Sequence, residues 1–403
     1  MDSKALSLSG SKSVINRILM MALYHDIEVC LSNFNRCNDT REMLKIYDVL
    51  GKEYQLTDTD LAIKNNPPKI PADIFIHIEE AGTCLRFVLS YFAFCGADSA
   101  VIKTGKRLSL RPLTELIECL NTAGANITTN EDTIIIKKGH LKTSTLHIDS
   151  SRSSQFLSSV LMLTSSKDIK VKASQVPSKS YIKMTEDVLG LFGYNLLIKD
   201  DNQWSVQKSG GEVVGHLDIC LDPDYSTLCY VLFRSFLLSE EVALPKMTNI
   251  YQPDYDFIDI IKKMGVNIGY HKSQHSITFG EKGIITKTEL FFDMADMPDQ
   301  IITLSFWSLF LHAPTHITGC ATLIYKESDR IAGILANIKL LGGKAEYKEG
   351  CLTIFPLQTE PQKCTLQTYN DHRFALTFLV LKEKWSYLEI DNIDCINKSA
   401  QIF

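Results

Sequence analysis

Two series of helical patterns recur along this chain about every 70 residues, and this repeat limits the folds that it can adopt. In the first series, apolar residues at i, i+3, i+4 and i+7 predict amphipathic helices. These helices begin near Met43, Leu113, Met184, Phe257 and Ile331. Each ends at or near a glycine, the usual residue at a left-handed helix terminus. Strand-like pairs around polar turns follow, as in "ANITTNEDTIIIKK", "YNLLIKDDNQWSVQK" and "VNIGYHKSQHSITF".

The second series of helices begins at short polar clusters with the same spacing: "GSKS", "AGTC", "SRSS", "DYST", "MPDQ" and "NDHR". Because both series keep the repeat, the chain is predicted to hold six units of strand, helix, strand, helix and hairpin. Six such units favour two closed groups of three, with a boundary near Cys220–Thr227. Helix N-termini attract anions, so we expect an anionic ligand in the cleft between the two groups.

Composition narrows the class of protein. The chain has 403 residues, of which 45% are hydrophobic and 22% charged, as expected of a soluble protein with more than one domain. A net charge of −5 argues against a nucleic-acid-binding surface. No apolar run is long enough to cross a membrane and no secretion signal precedes the first helix, so we expect a cytoplasmic protein without membrane contact.

The spacing of cysteines and histidines indicates whether the chain is expected to bind a metal ion. The eleven cysteines form no C-x-x-C pair, and the ten histidines form no H-E-x-x-H motif and no cluster with cysteines. Such scattered cysteines are typical of reduced thiols inside a cytoplasmic protein. We therefore expect no structural or catalytic metal.

The segment "LSGSKSVINR" looks like a phosphate-binding loop, but its spacing is different. A P-loop needs glycines where this chain has Leu6 and Ser11. What remains is a helix N-terminus with two cations, Lys12 and Arg17, which together suit an anion. Taken alone, an ordinary helix with two solvated cations explains the segment equally well.

Further charged residues stand at other helix starts. They are Arg111 before Pro112, Lys326, Glu327 and Arg330 in "KESDR", Arg373 in "NDHR", and Lys398 near the end. Each one alone is typical of a surface ion pair or a helix cap. Because they occupy equivalent points of a repeat, together they indicate a cage of arginine and lysine for two polyanionic ligands.

The motifs "GSKSVINR", "AGTCLRF", "SSQFL", "PSKSY", "MPDQ", "KESDR", "NDHR" and "NKS" occur in one order along nearly the whole chain. This ordered set resembles the 5-enolpyruvylshikimate-3-phosphate synthases. The resemblance implies an α/β fold (α+β in some schemes), a two-domain pseudo-threefold inverse barrel of six βαβαββ units. Residues 1–10 with 223–403 would form one domain and 11–222 the other, with the active site in the cleft between them.

The resemblance also implies the reaction. Members transfer the enolpyruvyl group of phosphoenolpyruvate to the 5-hydroxyl of shikimate 3-phosphate through a tetrahedral intermediate, and release phosphate. The step belongs to aromatic amino acid biosynthesis and is the target of glyphosate. It needs no metal or organic cofactor, so we expect two small-molecule substrates as partners and a monomeric enzyme.

Site residues are carried over motif by motif. The resemblance assigns shikimate 3-phosphate to Lys12, Ser13, Arg17, Ser153, Ser154, Gln155, Ser178, Tyr181, Asp299, Thr322 and Lys326. It assigns phosphoenolpyruvate to Lys12, Gly82, Arg111, Gln155, Arg330, Arg373 and Lys398. Asp299, with Lys12 alongside, would take the hydroxyl proton, and Glu327 would protonate carbon 3. Without the resemblance, Asp299 would be taken for a helix-start carboxylate and Glu327 for a partner of Arg330.

Three alternatives stay open. A UDP-N-acetylglucosamine enolpyruvyl transferase usually has Asn in place of Ser13 and a reactive Cys before the counterpart of Arg111, where "TGKRLSLRP" has none. A non-catalytic anion-binding relative is disfavoured by the presence of Asp299 and Glu327. An RNA-end-processing relative is disfavoured by the acidic balance. Glu80 and Thr322, where the family usually has Asn, are expected to affect affinity.

Overall fold

The computed structural model describes residues 8–167, 169–199, 203–209, 215–248, 250–266, 268–271, 276–279 and 288–399. The chain divides into two compact units. The N-terminal unit comprises Ser9–Leu221 and Asn249–Tyr251, and the C-terminal unit comprises Leu8, Asp222–Thr248 and the chain from Gln252 onward. Each unit has its own cluster of buried apolar side chains. Helices and strands alternate in both, so the fold is mixed α/β.

The N-terminal unit has helices α1 (Lys12–Tyr24), α2 (Asn38–Val49), α3 (Gly82–Phe92), α4 (Thr114–Thr122), α5 (Ser154–Thr164) and α6 (Lys179–Leu191). Its strands are β1 (Glu28–Ser32), β2 (Tyr54–Leu56), β3 (Asp60–Ile63), β4 (Asp73–Ile78), β5 (Ser99–Thr104), β6 (Asn126–Asn130), β7 (Thr133–Lys137), β8 (Thr145–Asp149), β9 (Lys170–Ser174), β10 (Tyr194–Lys199), β11 (Gln203–Lys208) and β12 (His216–Cys220).

The C-terminal unit has helices α7 (Tyr225–Leu238), α8 (Phe257–Lys263), α9 (Ile301–Ser308), α10 (Arg330–Leu340) and α11 (His372–Lys384). Short 3-10 turns span Pro253–Asp256, Pro298–Gln300, Leu323–Tyr325 and Asp394–Lys398. Its strands are β13 (Glu241–Ala243), β14 (Ile268–His271), β15 (Ser276–Phe279), β16 (Leu290–Asp293), β17 (Thr315–Thr318), β18 (Ala345–Lys348), β19 (Cys351–Ile354), β20 (Thr365–Leu366) and β21 (Glu389–Ile390).

One sheet topology recurs. The sheets β4-β5-β7-β6, β8-β9-β11-β10 and β16-β17-β19-β18 each have a parallel first pair followed by antiparallel pairs. In the sheet β12-β1-β3-β2, strand β12 takes the place of the first strand and pairs in parallel with β1. Burial alternates along β4, so one face of its sheet packs on the core and the other faces outward.

The helix predictions are confirmed. Helices α2, α4, α6, α8 and α10 cover the apolar stripes, and α1, α3, α5, α7, α9 and α11 begin at or just after the polar clusters. All five helix-ending glycines have positive φ, at Gly51, Gly124, Gly193, Gly265 and Gly342. A β-carbon would be strained in that conformation, which is why glycine ends these helices.

The strand-pair predictions are confirmed in part. The run "ANITTNEDTIIIKK" forms the antiparallel pair β6–β7. Pairs β10–β11 and β14–β15 also form, although their predicted turns, residues 200–202 and 272–275, lie outside the described residues, as do residues 1–7 of the first predicted domain. No helix in the described part of the chain combines the length and apolarity that a membrane crossing requires.

Candidate active site

Arg17, one turn into α1, is a buried cation held by neutral groups. Its side chain is 2% exposed. Nε donates to Thr185 Oγ1 at 2.8 Å, Nη1 to the Ser13 carbonyl at 2.8 Å, and Nη2 to Ser158 Oγ at 3.3 Å. Burial lowers the pKa of Arg17 to about 10, which still leaves it protonated at neutral pH. Among the described residues Arg17 forms no ion pair, so its charge is not neutralised locally.

Lys12 opens the same helix. Its Nζ lies 3.0 Å from Asp39 Oδ2, near the start of α2. The side chain of Lys12 is 13% exposed, and Asp39 orients its ammonium group. The sequence motif showed Lys12, but nothing in it indicated this partner.

The starts of α5 and α6 carry hydroxyl groups. Ser153 caps α5, where its side chain accepts a hydrogen bond from the Gln155 amide at 3.2 Å. The Gln155 side chain donates to Thr83 Oγ1 at 3.0 Å, which connects the starts of α3 and α5. Ser178 caps α6 with a φ of 52°, a left-handed conformation that is uncommon for serine and concentrated at functional sites.

Gly82 at the start of α3 packs against two guanidinium groups. A β-carbon there would collide with Arg111 Nη1 and would lie 2.7 Å from Arg86 Nη1. Arg86 is 2% exposed and donates to the carbonyls of Gly82 at 2.9 Å and Pro112 at 2.7 Å. Gly82 is therefore needed for the approach of Arg111 and Arg86, and only the first of these was a predicted site residue.

Glu42 of α2 fixes the loop that leads into α3. Its two carboxylate oxygens accept the backbone N–H groups of Glu79 at 2.8 Å and Ala81 at 3.0 Å. Burial raises the pKa of Glu42, and these two hydrogen bonds act in the opposite direction. Sequence reasoning missed this residue because a carboxylate inside an amphipathic helix has no distinguishing pattern.

In the C-terminal unit, Asp299 lies at the centre of three cations. Oδ1 is 3.0 Å from Lys326 Nζ and 2.9 Å from Arg330 Nη1, and Oδ2 is 2.7 Å from Arg373 Nη2. Burial alone would raise the pKa of Asp299. The three cations outweigh it and hold that pKa well below its usual range. Asp299 is thus ionised at neutral pH.

Arg330 connects the acids of this cluster. Its side chain is 1% exposed. Nη2 donates to Glu327 Oε2 at 2.8 Å and Nε to Asp371 Oδ2 at 2.8 Å, while Glu327 Oε1 lies 3.3 Å from Lys398 Nζ. Burial lowers the pKa of Arg330, but Asp371, Glu327 and Asp299 more than compensate and raise it. The predicted acid, the predicted base and Lys398 therefore share one network.

Two buried carboxylates of this cluster were not predicted. Asp371 is fully buried, caps α11 through the Arg373 amide at 3.0 Å, and holds Arg330. Asp254 is 6% exposed and accepts a hydrogen bond from Ser226 Oγ. Burial raises the pKa of Asp254 to about 6, with Arg373 opposing that shift. Neither residue was assigned a role from the sequence.

The predicted site residues are divided between the two units, and we call the set in each unit a cluster. The N-terminal cluster contains Lys12, Ser13, Arg17, Gly82, Arg111, Ser153, Ser154, Gln155, Ser178 and Tyr181. The C-terminal cluster contains Asp299, Thr322, Lys326, Glu327, Arg330, Arg373 and Lys398. Thr322, in the turn before Leu323–Tyr325, is 9% exposed.

Comparison with known proteins gives one consistent result. Residues 3–403 match the model of the family described as EPSP synthase (3-phosphoshikimate 1-carboxyvinyltransferase). The 3-phosphoshikimate 1-carboxyvinyltransferase of Vibrio campbellii is 28% identical over 410 residues, 98% of this chain and 93% of the relative. That of Sulfurovum sp. is 28% identical over 412 residues, again 98% and 93% of the two chains.

Solved structures share the fold. The EPSP synthase of Acinetobacter baumannii superposes with a TM-score of 0.74 at 20% identity, covering 97% of this chain and 92% of the other. The enolpyruvyl transferase NikO of Streptomyces tendae gives 0.68 at 15% identity, covering 99% and 92%.

Proposed function

This chain belongs to the EPSP synthase (3-phosphoshikimate 1-carboxyvinyltransferase) family, and from that premise we propose that its two clusters divide the work of the family's reaction. The chain transfers the enolpyruvyl group of phosphoenolpyruvate to shikimate 3-phosphate in aromatic amino acid biosynthesis. The N-terminal cluster holds the phosphate group of shikimate 3-phosphate, and the C-terminal cluster moves the protons. The observation that carries this division is the position of Asp299 between three cations and beside the Arg330–Glu327 pair.

Binding of shikimate 3-phosphate rests on the N-terminal cluster. The uncompensated charge near Arg17 and the hydroxyl groups of Ser153, Ser154 and Ser178 at helix starts suit a phosphate dianion. The helix N-termini add partial positive charge without a counter-ion. Lys12, oriented by Asp39, contacts both substrates.

The family resemblance assigns phosphoenolpyruvate to four cations, Arg111, Arg330, Arg373 and Lys398. The close packing of Arg111 on Gly82 sets where that guanidinium lies. Forked guanidinium groups match carboxylate and phosphate oxygens. Because Arg373 is bonded to Asp299 in the structure, an anion that draws Arg373 away weakens its hold on that carboxylate.

Proton transfer follows from the weaker hold of Arg373 on Asp299. Once substrate anions share Arg373 and Lys326, the pKa of Asp299 rises, and Asp299 accepts the 5-hydroxyl proton as the oxygen attacks carbon 2. Glu327 gives a proton to carbon 3, which completes the tetrahedral intermediate. Glu327 then takes a proton back from carbon 3, which re-forms the double bond and breaks the bond to phosphate. The departing phosphate takes the proton that Asp299 had accepted, so both carboxyl groups return to their starting states. The cations stabilise the departing phosphate.

The six-unit, pseudo-threefold arrangement is part of the proposal. It is supported by the sheet order shared by three four-stranded sheets, and by β12, which completes the fourth. The division of the chain between Leu221 and Asp222 supports one domain of residues 11–222 and another of residues 1–10 with 223–403.

The test follows phosphate release from the purified chain with both substrates. We expect Asp299→Asn to lower kcat by about 10²- to 10⁴-fold, because it removes the general base. Asp259→Asn is the matched control, since Asp259 is an exposed carboxylate of α8 in the same unit, paired with Lys262. Arg17→Met should instead raise KM for shikimate 3-phosphate. Tight shikimate 3-phosphate binding without any turnover in the unaltered chain would contradict the proposal and favour a binding relative.

A further inference from the structure

One group of side chains outside both clusters has metal-binding chemistry. Strands β1 and β12 pair in parallel, with Glu28 opposite His216 and Cys30 opposite Asp218. Alternate residues of a strand share a face, so these four side chains lie together on the outward face of the sheet. The ligand atoms of Glu28, Cys30 and His216 all lie within 4.8 Å of one another.

The histidine ring is oriented from both sides. His216 Nδ1 lies 3.5 Å from Glu28 Oε2, and Nε2 lies 3.0 Å from Asp218 Oδ2. An imidazole that binds a metal through one nitrogen usually donates its other N–H to a carboxylate, which fixes the ring. Asp218 is placed to accept that bond from Nε2, while Nδ1 lies beside Glu28.

The space around the group permits an ion. Ala62 of β3 lies opposite Cys30, and its side chain is a single methyl group. A cavity of about 440 Å³ adjoins it, with Cys30, Asp218, Cys220 and Gln55 among its lining residues. Tetrahedral ligands around zinc lie about 3.5 Å apart, so closing the group needs shifts of about 1 Å, which partly exposed side chains allow.

We propose that Glu28, Cys30 and His216 bind a divalent transition-metal ion of the zinc class, with Asp218 orienting His216. A thiolate, an imidazole and a carboxylate are the ligand types that zinc takes, whereas magnesium and calcium prefer oxygen alone. Three protein ligands leave the fourth position of a tetrahedral ion to water. The ion joins β12 to β1 and has no part in enolpyruvyl transfer.

This proposal departs from the expectation, based on spacing along the sequence, that the chain holds no metal. That expectation considered local motifs, and Glu28 and His216 are brought together only by a parallel strand pair. No local spacing rule covers ligands so far apart in the chain.

The test titrates Co²⁺ into the chelator-treated chain and follows the near-ultraviolet thiolate-to-cobalt charge-transfer band, with Zn²⁺ as competitor. We expect one equivalent of Co²⁺ to bind and to produce that band. We also expect the band to be lost and the affinity for Co²⁺ to fall at least tenfold in both Cys30→Ser and His216→Gln. Zn²⁺ should raise the thermal midpoint of the unaltered chain but not of these variants.

Two matched controls keep the result specific. Cys220→Ser removes a thiol from the same outward face, and His77→Gln removes a histidine paired with Glu79 at 2.7 Å. Both should bind Co²⁺ as the unaltered chain does. No binding, binding without the thiolate band, or equal affinity in Cys30→Ser would overturn the proposal. Phosphate release should be unchanged in every variant, so this test is independent of the proposed reaction.

Discussion

Arg17 and Arg330 are both buried, yet their surroundings differ in charge. Arg17 donates to hydroxyl and carbonyl oxygens, and burial lowers its pKa to about 10. Arg330 donates to three carboxylates, which raise its pKa. The first arrangement leaves positive charge for an incoming anion. The second balances charge internally, which suits the proton transfers that we propose for Asp299 and Glu327.

Helix starts show the same contrast. In the C-terminal unit, α7, α10 and α11 are capped by the carboxylates of Asp224, Asp329 and Asp371. In the N-terminal unit, the cap positions of α1, α3, α5 and α6 are uncharged: Ser11, Ala81, Ser153 and Ser178. A carboxylate cap occupies the positive end of the helix dipole, whereas an uncharged start leaves it available to a substrate phosphate.

The largest expected effect comes from removing each arginine in turn. Arg330→Met leaves Asp299, Glu327 and Asp371 without their shared counter-ion, and we expect a loss of about 3–5 kcal/mol in the free energy of unfolding. Arg17→Met removes bonds to neutral groups and should cost less, about 1–3 kcal/mol. Urea unfolding of both variants measures the difference. Equal losses would show that the carboxylates around Arg330 do not set its contribution.

The next effect is a pH dependence from Asp254. Its folded-state pKa, about 6, is raised above the ordinary value of 3.8, so its protonated form is favoured in the folded chain. The resulting stabilisation is present below about pH 4 and is lost as the pH rises through about 6. A shift of one pKa unit corresponds to roughly 1.4 kcal/mol. Relative to the unaltered chain, the free energy of unfolding of Asp254→Asn should therefore rise by about 2–3 kcal/mol between pH 4 and pH 7.

Urea unfolding at the two pH values tests the Asp254 prediction, with Asp259→Asn as control. The pKa of Asp299 is lowered, so its stabilisation has the opposite sign and is lost as the pH falls. A constant difference between Asp254→Asn and the unaltered chain across this range would refute the assignment.

The smallest effect concerns Gly82. The β-carbon in Gly82→Ala meets the ends of two flexible arginine side chains, so we expect Arg111 and Arg86 to shift at a cost of about 1–2 kcal/mol. KM for phosphoenolpyruvate should rise about tenfold, and KM for shikimate 3-phosphate should change less. Gly190→Ala is the control, because nothing lies within 4 Å of a β-carbon at that helix position. Equal effects on both KM values would mean that Gly82 does not position Arg111.

Local patterns predicted the helices well because the apolar period and the terminal glycine of a helix both occur within a short stretch of sequence. Gly51 and Gly342, for example, have the positive φ expected of a helix end. The pairing of β1 with β12 had no such signal, since it joins residues far apart in sequence.

The candidate site was predicted through the resemblance rather than from single residues. Lys12, Asp299 and Glu327 each have an ordinary explanation when considered alone, and only the ordered motifs distinguished them. Asp371 and Arg86 were missed although both lie inside recognised motifs. Their importance depends on partners from other helices or loops, namely Arg330 for Asp371 and the Pro112 carbonyl for Arg86.

The position of β12 has a consequence for how the chain folds while it is being translated. Strand β1 emerges early from the ribosome, but its parallel neighbour is not made until Cys220, and the Asn33–Leu221 hydrogen bond spans 188 positions. Until then β1 is an open edge strand, which can pair with another chain. Contacts of such high sequence separation also form slowly. The nascent N-terminal unit thus completes its first sheet only as the ribosome reaches the first residues of the C-terminal unit.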